Sequence, residues 1–180
     1  MFENVDLLRF FSVEAKGGDV APGAVEEAEK SLRHKIPEAY LRLLAVKNGD
    51  EEWRKFDGRF LRMTGFLSLD DLVAQRPDFE EWGFPDVGLY FSWTESAGHE
   101  ALVLNYREIK KTGEPSVWLL DQELETGSLI ADTLEEFVEK IVSLQGYPDE
   151  ESPDHSSEYG DDEDTAEGDK KEYDGWTWVT

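Results

Sequence analysis

Apolar residues Val25, Ala28 and Leu32 recur at i, i+3 and i+7, with Glu26, Glu27 and Glu29 ahead of them and Arg33, His34 and Lys35 behind. That order predicts a helix over Val25–Lys35, because acids favour the positive N-terminal end of the helix dipole and bases the negative C-terminal end. Pro37 suits a helix start, so a second helix is expected over Pro37–Lys47, with the stripe Tyr40, Leu41, Leu43 and Leu44 and a stop at Asn48-Gly49. Ahead of both, Val5, Leu7, Leu8, Phe10 and Phe11 predict a short helix or packed arm that Gly17-Gly18 ends. Arg59–Leu67 suits a strand. Ser68-Leu69-Asp70-Asp71 resembles an N-terminal cap for a short helix running to about Gln75.

Farther along, the period changes from helical to alternating. Val87, Leu89, Phe91 and Trp93 alternate with polar or small residues, as do Leu102, Leu104 and Tyr106, and the turn-like Glu95-Ser96-Ala97-Gly98 between them predicts a hairpin. Val117–Leu120 makes a further strand. Asp132-Thr133 caps a final helix whose face is Leu134, Phe137, Val138 and Ile141. Strands in succession with helices at both ends give an α+β fold class, a mixed or antiparallel sheet with helices packed against it. Leu32, Tyr40, Leu44, Phe91, Leu104, Phe137 and Ile141 are the expected core.

Periodicity is lost after Gly146. Residues 147–180 hold 13 acidic side chains against Lys170 and Lys171, a net of −11, and Pro148, Pro153, Gly160 and Gly168 interrupt any repeat. The chain therefore divides into a domain over 1–146 and an acidic tail over 147–180. The tail ends differently from the way it begins. In Gly175-Trp176-Thr177-Trp178-Val179-Thr180 the two tryptophans lie two apart, so a strand would put both on one face. Two indoles can bury enough apolar area to dock this end on the body as a strand or aromatic plug, with 149–172 crossing the surface as an acidic loop. The competing expectation is a recognition peptide that orders only on binding.

Charge narrows the function classes. The chain of 180 residues carries a formal net charge of −24, of which −13 belongs to residues 1–146. Such a surface repels phosphate backbones and anionic lipid, so neither direct nucleic-acid binding nor membrane binding is expected. The chain has no cysteine, which removes thiol catalysis, iron–sulfur clusters and Cys-based zinc sites and fits a reducing compartment. With neither a basic flank before an apolar core at the N-terminus nor an apolar run long enough to span a bilayer, the expected location is cytoplasmic.

Candidate chemistry is sparse. His34, His99 and His155 are too scattered for a metal centre, and His99-Glu100 is the one neighbouring pair with acid–base character, although adjacent strand residues face opposite ways. The run Asp161-Asp162-Glu163-Asp164 fails the calcium-loop pattern, because Ala166 and Glu167 fall where an oxygen ligand and a glycine are needed. Phosphate-cradling loops and nucleophile elbows are absent, so no enzyme activity, cofactor or metal is expected. What stands out is aromatic residues set among acids: Glu51, Glu52 and Trp53 in one cluster, Glu80, Glu81 and Trp82 in another. Such tryptophans are either core residues with solubilising neighbours or anchors toward which carboxylates steer a basic partner. With Glu95 and Glu100 of the hairpin they form the candidate partner-binding set.

These segments together resemble a known family. Val25-Glu26-Glu27-Ala28-Glu29 with Leu32, then Ile36-Pro37-Glu38-Ala39-Tyr40, Leu43-Leu44 and Asn48-Gly49, resemble the N-terminal signature of the SUKH superfamily, which includes the yeast Smi and Knr cell-wall regulators. Gly65-Phe66-Leu67-Ser68-Leu69-Asp70-Asp71-Leu72 resembles its strand-to-helix step, Trp93–Asn105 its hairpin and Asp132–Phe137 its final helix. The likeness spans roughly residues 20 to 145 and leaves out the tail. It implies a non-enzymatic α+β domain, used in bacteria mostly as an immunity protein that binds and neutralises a cognate toxin, often one acting on nucleic acid. A toxin that grips polyanions presents a basic surface, which an acidic body complements. The alternative function is a regulatory scaffold like the yeast members.

Overall fold

The computed structural model describes residues 20–49, 53–56, 61–107, 113–143 and 168–180. The expected N-terminal arm, Glu51, Glu52, Asp161–Asp164 and most of the acidic loop lie outside these residues. Two helices open the described chain, α1 (Pro22–Leu32) and α2 (Glu38–Val46). Helix α1 begins three residues earlier than its apolar repeat suggests, because Pro22 occupies the first turn, where its fixed φ and missing N–H cost nothing. It ends at Arg33, whose left-handed φ of 59° turns the chain before His34 and Lys35 can join.

A small sheet follows, made of β1 (Arg54–Phe56), β2 (Arg62–Met63) and the distant β7 (Ile141–Ser143), in the order β2-β1-β7. The strand expected over Arg59–Leu67 thus shrinks to two residues. Its continuation is still tied to the main sheet, as the Thr64 and Leu67 N–H groups donate to the carbonyls of Trp93 and Phe91. Helix α3 (Leu69–Ala74) is capped as expected, Ser68 Oγ accepting the Asp71 N–H at 3.1 Å. Asn48 adds a second cap from outside the helix, its Oδ1 accepting the Leu69 N–H at 2.9 Å. Directly after it comes α4 (Arg76–Glu81), which the sequence reading omitted.

The main sheet has six strands: β3 (Gly88–Trp93), β4 (Glu100–Asn105), β5 (Ser116–Asp121), β6 (Thr126–Ala131), β8 (Lys170–Tyr173) and β9 (Trp176–Val179). Their order is β3-β4-β5-β6-β9-β8, antiparallel throughout except for the parallel pair β6–β9. The sheet is therefore mixed and the fold α+β, as expected. Between β6 and β7 lies α5 (Leu134–Glu139), capped by Thr133 Oγ1, which accepts the Glu136 N–H at 3.1 Å. Ile141, expected on this helix, belongs instead to β7, because the helix stops at Lys140 and the chain turns to pair with β1.

Both faces of the main sheet are covered. On one, Phe91 packs edge-on against Tyr40 of α2 and Phe137 of α5 and stacks on Phe66, and Tyr40 donates its hydroxyl to the Leu67 carbonyl at 2.8 Å. Burial pushes the Tyr40 phenol well above its usual pKa, so it stays a neutral donor. All seven expected core residues are buried, Ile141 included. The opposite face carries a run of aromatic rings beside Val103, Ala101 and Leu120. Phe79 of α4 stacks on Tyr90 and Trp93, Phe84 packs on both, Trp176 reaches Phe84, and Trp178 packs edge-on against Trp118.

The C-terminal end thus docks as a strand. Asp174 and Gly175, both at positive φ, make the tight turn of the β8–β9 hairpin, and β9 sets Trp178 beside Gly127 of β6. Gly127 is required there, since a Cβ would come within 2.7 Å of the indole. Of the acidic loop expected over 149–172, its last residues are instead strand β8. Among the described residues, no helix is long and apolar enough to cross a membrane.

Candidate functional site

Three segments converge at one end of the main sheet: the C-terminus of α4, the β3–β4 turn and the β5–β6 turn. Trp82 follows the last residue of α4 with its N–H still bonded to the Asp78 carbonyl, so the helix fixes its backbone. The edge of its indole abuts Gly98 in the β3–β4 turn and its ring centroid is 5.6 Å from that of Trp93. The side chain is nevertheless 47% exposed. An exposed tryptophan seated on backbone loses little rotamer freedom when a partner covers it, which is the property of an interface anchor.

The turn beneath it is rigid. Ala97 and Gly98 both have positive φ, the Thr94 hydroxyl accepts the Ser96 N–H and donates to the Glu100 carboxylate at 2.8 Å, and Ser96 Oγ accepts the Glu100 N–H at 2.7 Å. The β5–β6 turn is locked to it by the Gln122 N–H on the His99 carbonyl at 2.8 Å and by His99 Nδ1 3.1 Å from Glu123 Oε1. His99 therefore meets Glu123 and not its neighbour Glu100, whose carboxylate is held by Thr94. The same turn carries Leu124, 69% exposed, its N–H bonded to Asp121 Oδ1 at 3.0 Å.

Of the predicted partner-binding residues, Glu80, Glu81, Trp82, Glu95 and Glu100 are brought to this end. Their carboxylates differ in availability. Glu80 takes Arg76 Nε at 3.1 Å, and Glu95 lies 3.7 Å from Arg62. Glu81 and Glu123 are exposed at the rim, and Glu125 follows Leu124. Below Glu80, the Arg76 guanidinium also meets Asp86 at 3.1 Å and donates to the Leu32 carbonyl, while His34 lies 3.4 Å from Asp86. Partial burial would raise the Asp86 carboxyl, but the charge and hydrogen bonds of Arg76 and His34 hold it below the usual aspartate value. This network clamps α4 to α1 and so holds Trp82 in place.

Trp53 is 44% exposed, ahead of β1. Arg54 pairs with Met63, which bridges to Thr94, so Trp53 stands about two strand spacings, roughly 10 Å, from the β3 end. Glu51 and Glu52 lie outside the described residues. Both tryptophans that could have been core residues are thus half-exposed. Leu124, Glu123 and Glu125 are not among the expected contacts, and an apolar residue inside the polar run Asp121–Glu125 is the signal that marks them.

A second concave feature, about 400 Å³, lies between Asn105, Arg107, Tyr173 and Trp178. There Arg107 stacks on Tyr173 at 4.4 Å and pairs with Asp174 at 3.2 Å, which closes the hairpin turn onto the body. No group of three or more His, Asp or Glu able to hold a metal ion occurs among the described residues.

Residues 20–140 match the family described as SMI1 / KNR4 family (SUKH-1), about two-thirds of the chain. None of the curated proteins matches it.

Proposed function

Because this chain belongs to the SMI1 / KNR4 family (SUKH-1), we propose that it is a non-catalytic immunity protein that binds and neutralises a cognate toxin by direct contact. The toxin is a protein with a basic surface, of the kind that engages nucleic acid. The observation that carries this reading is the exposed, seated Trp82 at a sheet end rimmed by glutamates, on a body of net charge −13. Long-range attraction would gather a basic partner, and the immobilised indole would supply desolvated contact area. The chain acts in the cytoplasm in this reading, where its toxin would otherwise reach its target.

Co-expression tests it. A toxin encoded beside this gene should be lethal alone, tolerated with this protein, and recovered with it as a stoichiometric complex. Neither rescue nor a complex with any neighbouring gene product would overturn the proposal and leave the regulatory scaffold, the role implied by the likeness to the yeast Smi and Knr proteins.

A further inference from the structure

The shape of the Trp82 site selects among basic partners, and this inference rests on the immunity reading above only for where such a partner comes from. The Cζ3 edge of the indole abuts the backbone of Gly98, whose missing side chain leaves room for the ring against the turn. The ring is still 47% exposed, so part of it remains open to solvent. Around it the carboxylates fall into two groups. Those of Glu80, Glu95 and Glu100 are engaged by Arg76, Arg62 and Thr94, and Glu123 meets His99 through Oε1 and has Oε2 as its second acceptor, whereas Glu81 is an exposed neighbour of Trp82. Leu124 adds exposed apolar surface on the adjoining turn.

We infer that this knuckle is an arginine-reading site: a guanidinium of the basic partner stacks on the open part of the Trp82 ring, its N–H groups are accepted by Glu123 and Glu81, and its methylene stem lies toward Leu124. Arginine fits better than lysine for three reasons. Its cation is planar and matches a flat ring, it is less strongly hydrated, and its fork presents several donors to two carboxylates at once. An ammonium group would gain the same long-range attraction from the −13 body but not the stacking.

The probes are hexa-arginine and hexalysine peptides, titrated into the full chain and followed by the tryptophan indole N–H resonances, with that of Trp82 assigned from Trp82→Phe. Hexa-arginine should move the Trp82 resonance and bind more tightly than hexalysine. Trp82→Ala should weaken hexa-arginine by about two- to fivefold and leave hexalysine nearly unchanged. Glu123→Gln should reduce the difference between the peptides, while Trp53→Ala should preserve it. Thermal melts of each variant verify folding, since Trp82 is half-exposed. Equal binding of the two peptides, equal losses on Trp82→Ala, or shifts confined to other indoles would overturn the inference. A failed toxin rescue would leave this result standing, and a toxin complex indifferent to Trp82→Ala would sink the arginine site while sparing the immunity reading.

Discussion

The six-membered ring of Trp82 occupies the space that a side chain on residue 98 would need: a Cβ on Gly98 would come within 1.7 Å of Cζ3. Residue 98 also has a φ of +97°, which L side chains rarely adopt. Gly98→Ala should therefore lift the indole off the turn and cost about 1–3 kcal/mol. Urea unfolding measures the stability loss. The displaced ring should appear as loss of selectivity for arginine peptide, even though Trp82 itself is unchanged. Retained selectivity would mean that Gly98 does not seat the ring.

Steering by the acidic rim has its own signature. Replacing Glu81, Glu95 and Glu123 by Lys together should slow association with the cognate toxin about tenfold or more at low salt and flatten its salt dependence, because these interactions are screened over about 8–10 Å at physiological ionic strength. Stopped-flow association at several salt concentrations tests this. An unchanged rate would place the contact elsewhere.

The C-terminal hairpin should be part of the folded body. Trp178→Ala removes an indole packed on Trp118, Trp176 and Gly127 and should destabilise by about 3–5 kcal/mol. Deleting residues 175–180 should likewise lower the melting temperature in circular dichroism. A melting temperature equal to that of the intact chain would show that the hairpin contributes nothing to the fold.

Asp86 sets an acid-sensitive contribution. Its folded-state carboxyl lies below the ordinary aspartate value of 3.8, so the stabilisation is fully present above that value and is lost as pH falls through the folded one. The stability gap between the native protein and Asp86→Asn should be present at about pH 5 and close below about pH 4. Denaturant unfolding at several pH values gives the gap directly. A gap that widens below about pH 5 would contradict the Arg76–Asp86 clamp.

Local chemistry made much of this fold legible. The stripes Val25–Leu32 and Tyr40–Leu44, the caps Ser68 and Thr133 and the alternation through β3 and β4 carry their own periods, and all appear where expected to within a few residues. Pro77 concealed α4, because it reads as a breaker although it sits in the helix's first turn. Strand β6 was hidden by Gly127 and by the register shift opposite Val117 and Trp118, which spoils alternation. Ile141 continues the apolar spacing of α5, and only its distant partner β1 makes it a strand. Asp174-Gly175 between Tyr173 and Trp176 is a strong hairpin signal that the acidic composition around it masked. At the site, the acid-framed tryptophans could be named but not ranked, since whether Trp82 is core or anchor depends on Gly98, sixteen residues away and on another element.

The aromatic face has an optical consequence. Ring contacts run unbroken from Trp82 through Trp93, Phe79, Tyr90, Phe84, Trp176 and Trp178 to Trp118, with successive centroids 4.0 to 6.4 Å apart. The indoles in direct contact form two groups, Trp82 with Trp93 and Trp178 with Trp176 and Trp118, separated by Phe79, Tyr90 and Phe84, whose higher-energy transitions pass excitation to indole but do not take it back. A quencher touching the solvent-facing Trp82 should consequently dim Trp93 with it, while the buried group around Trp178 keeps its own emission.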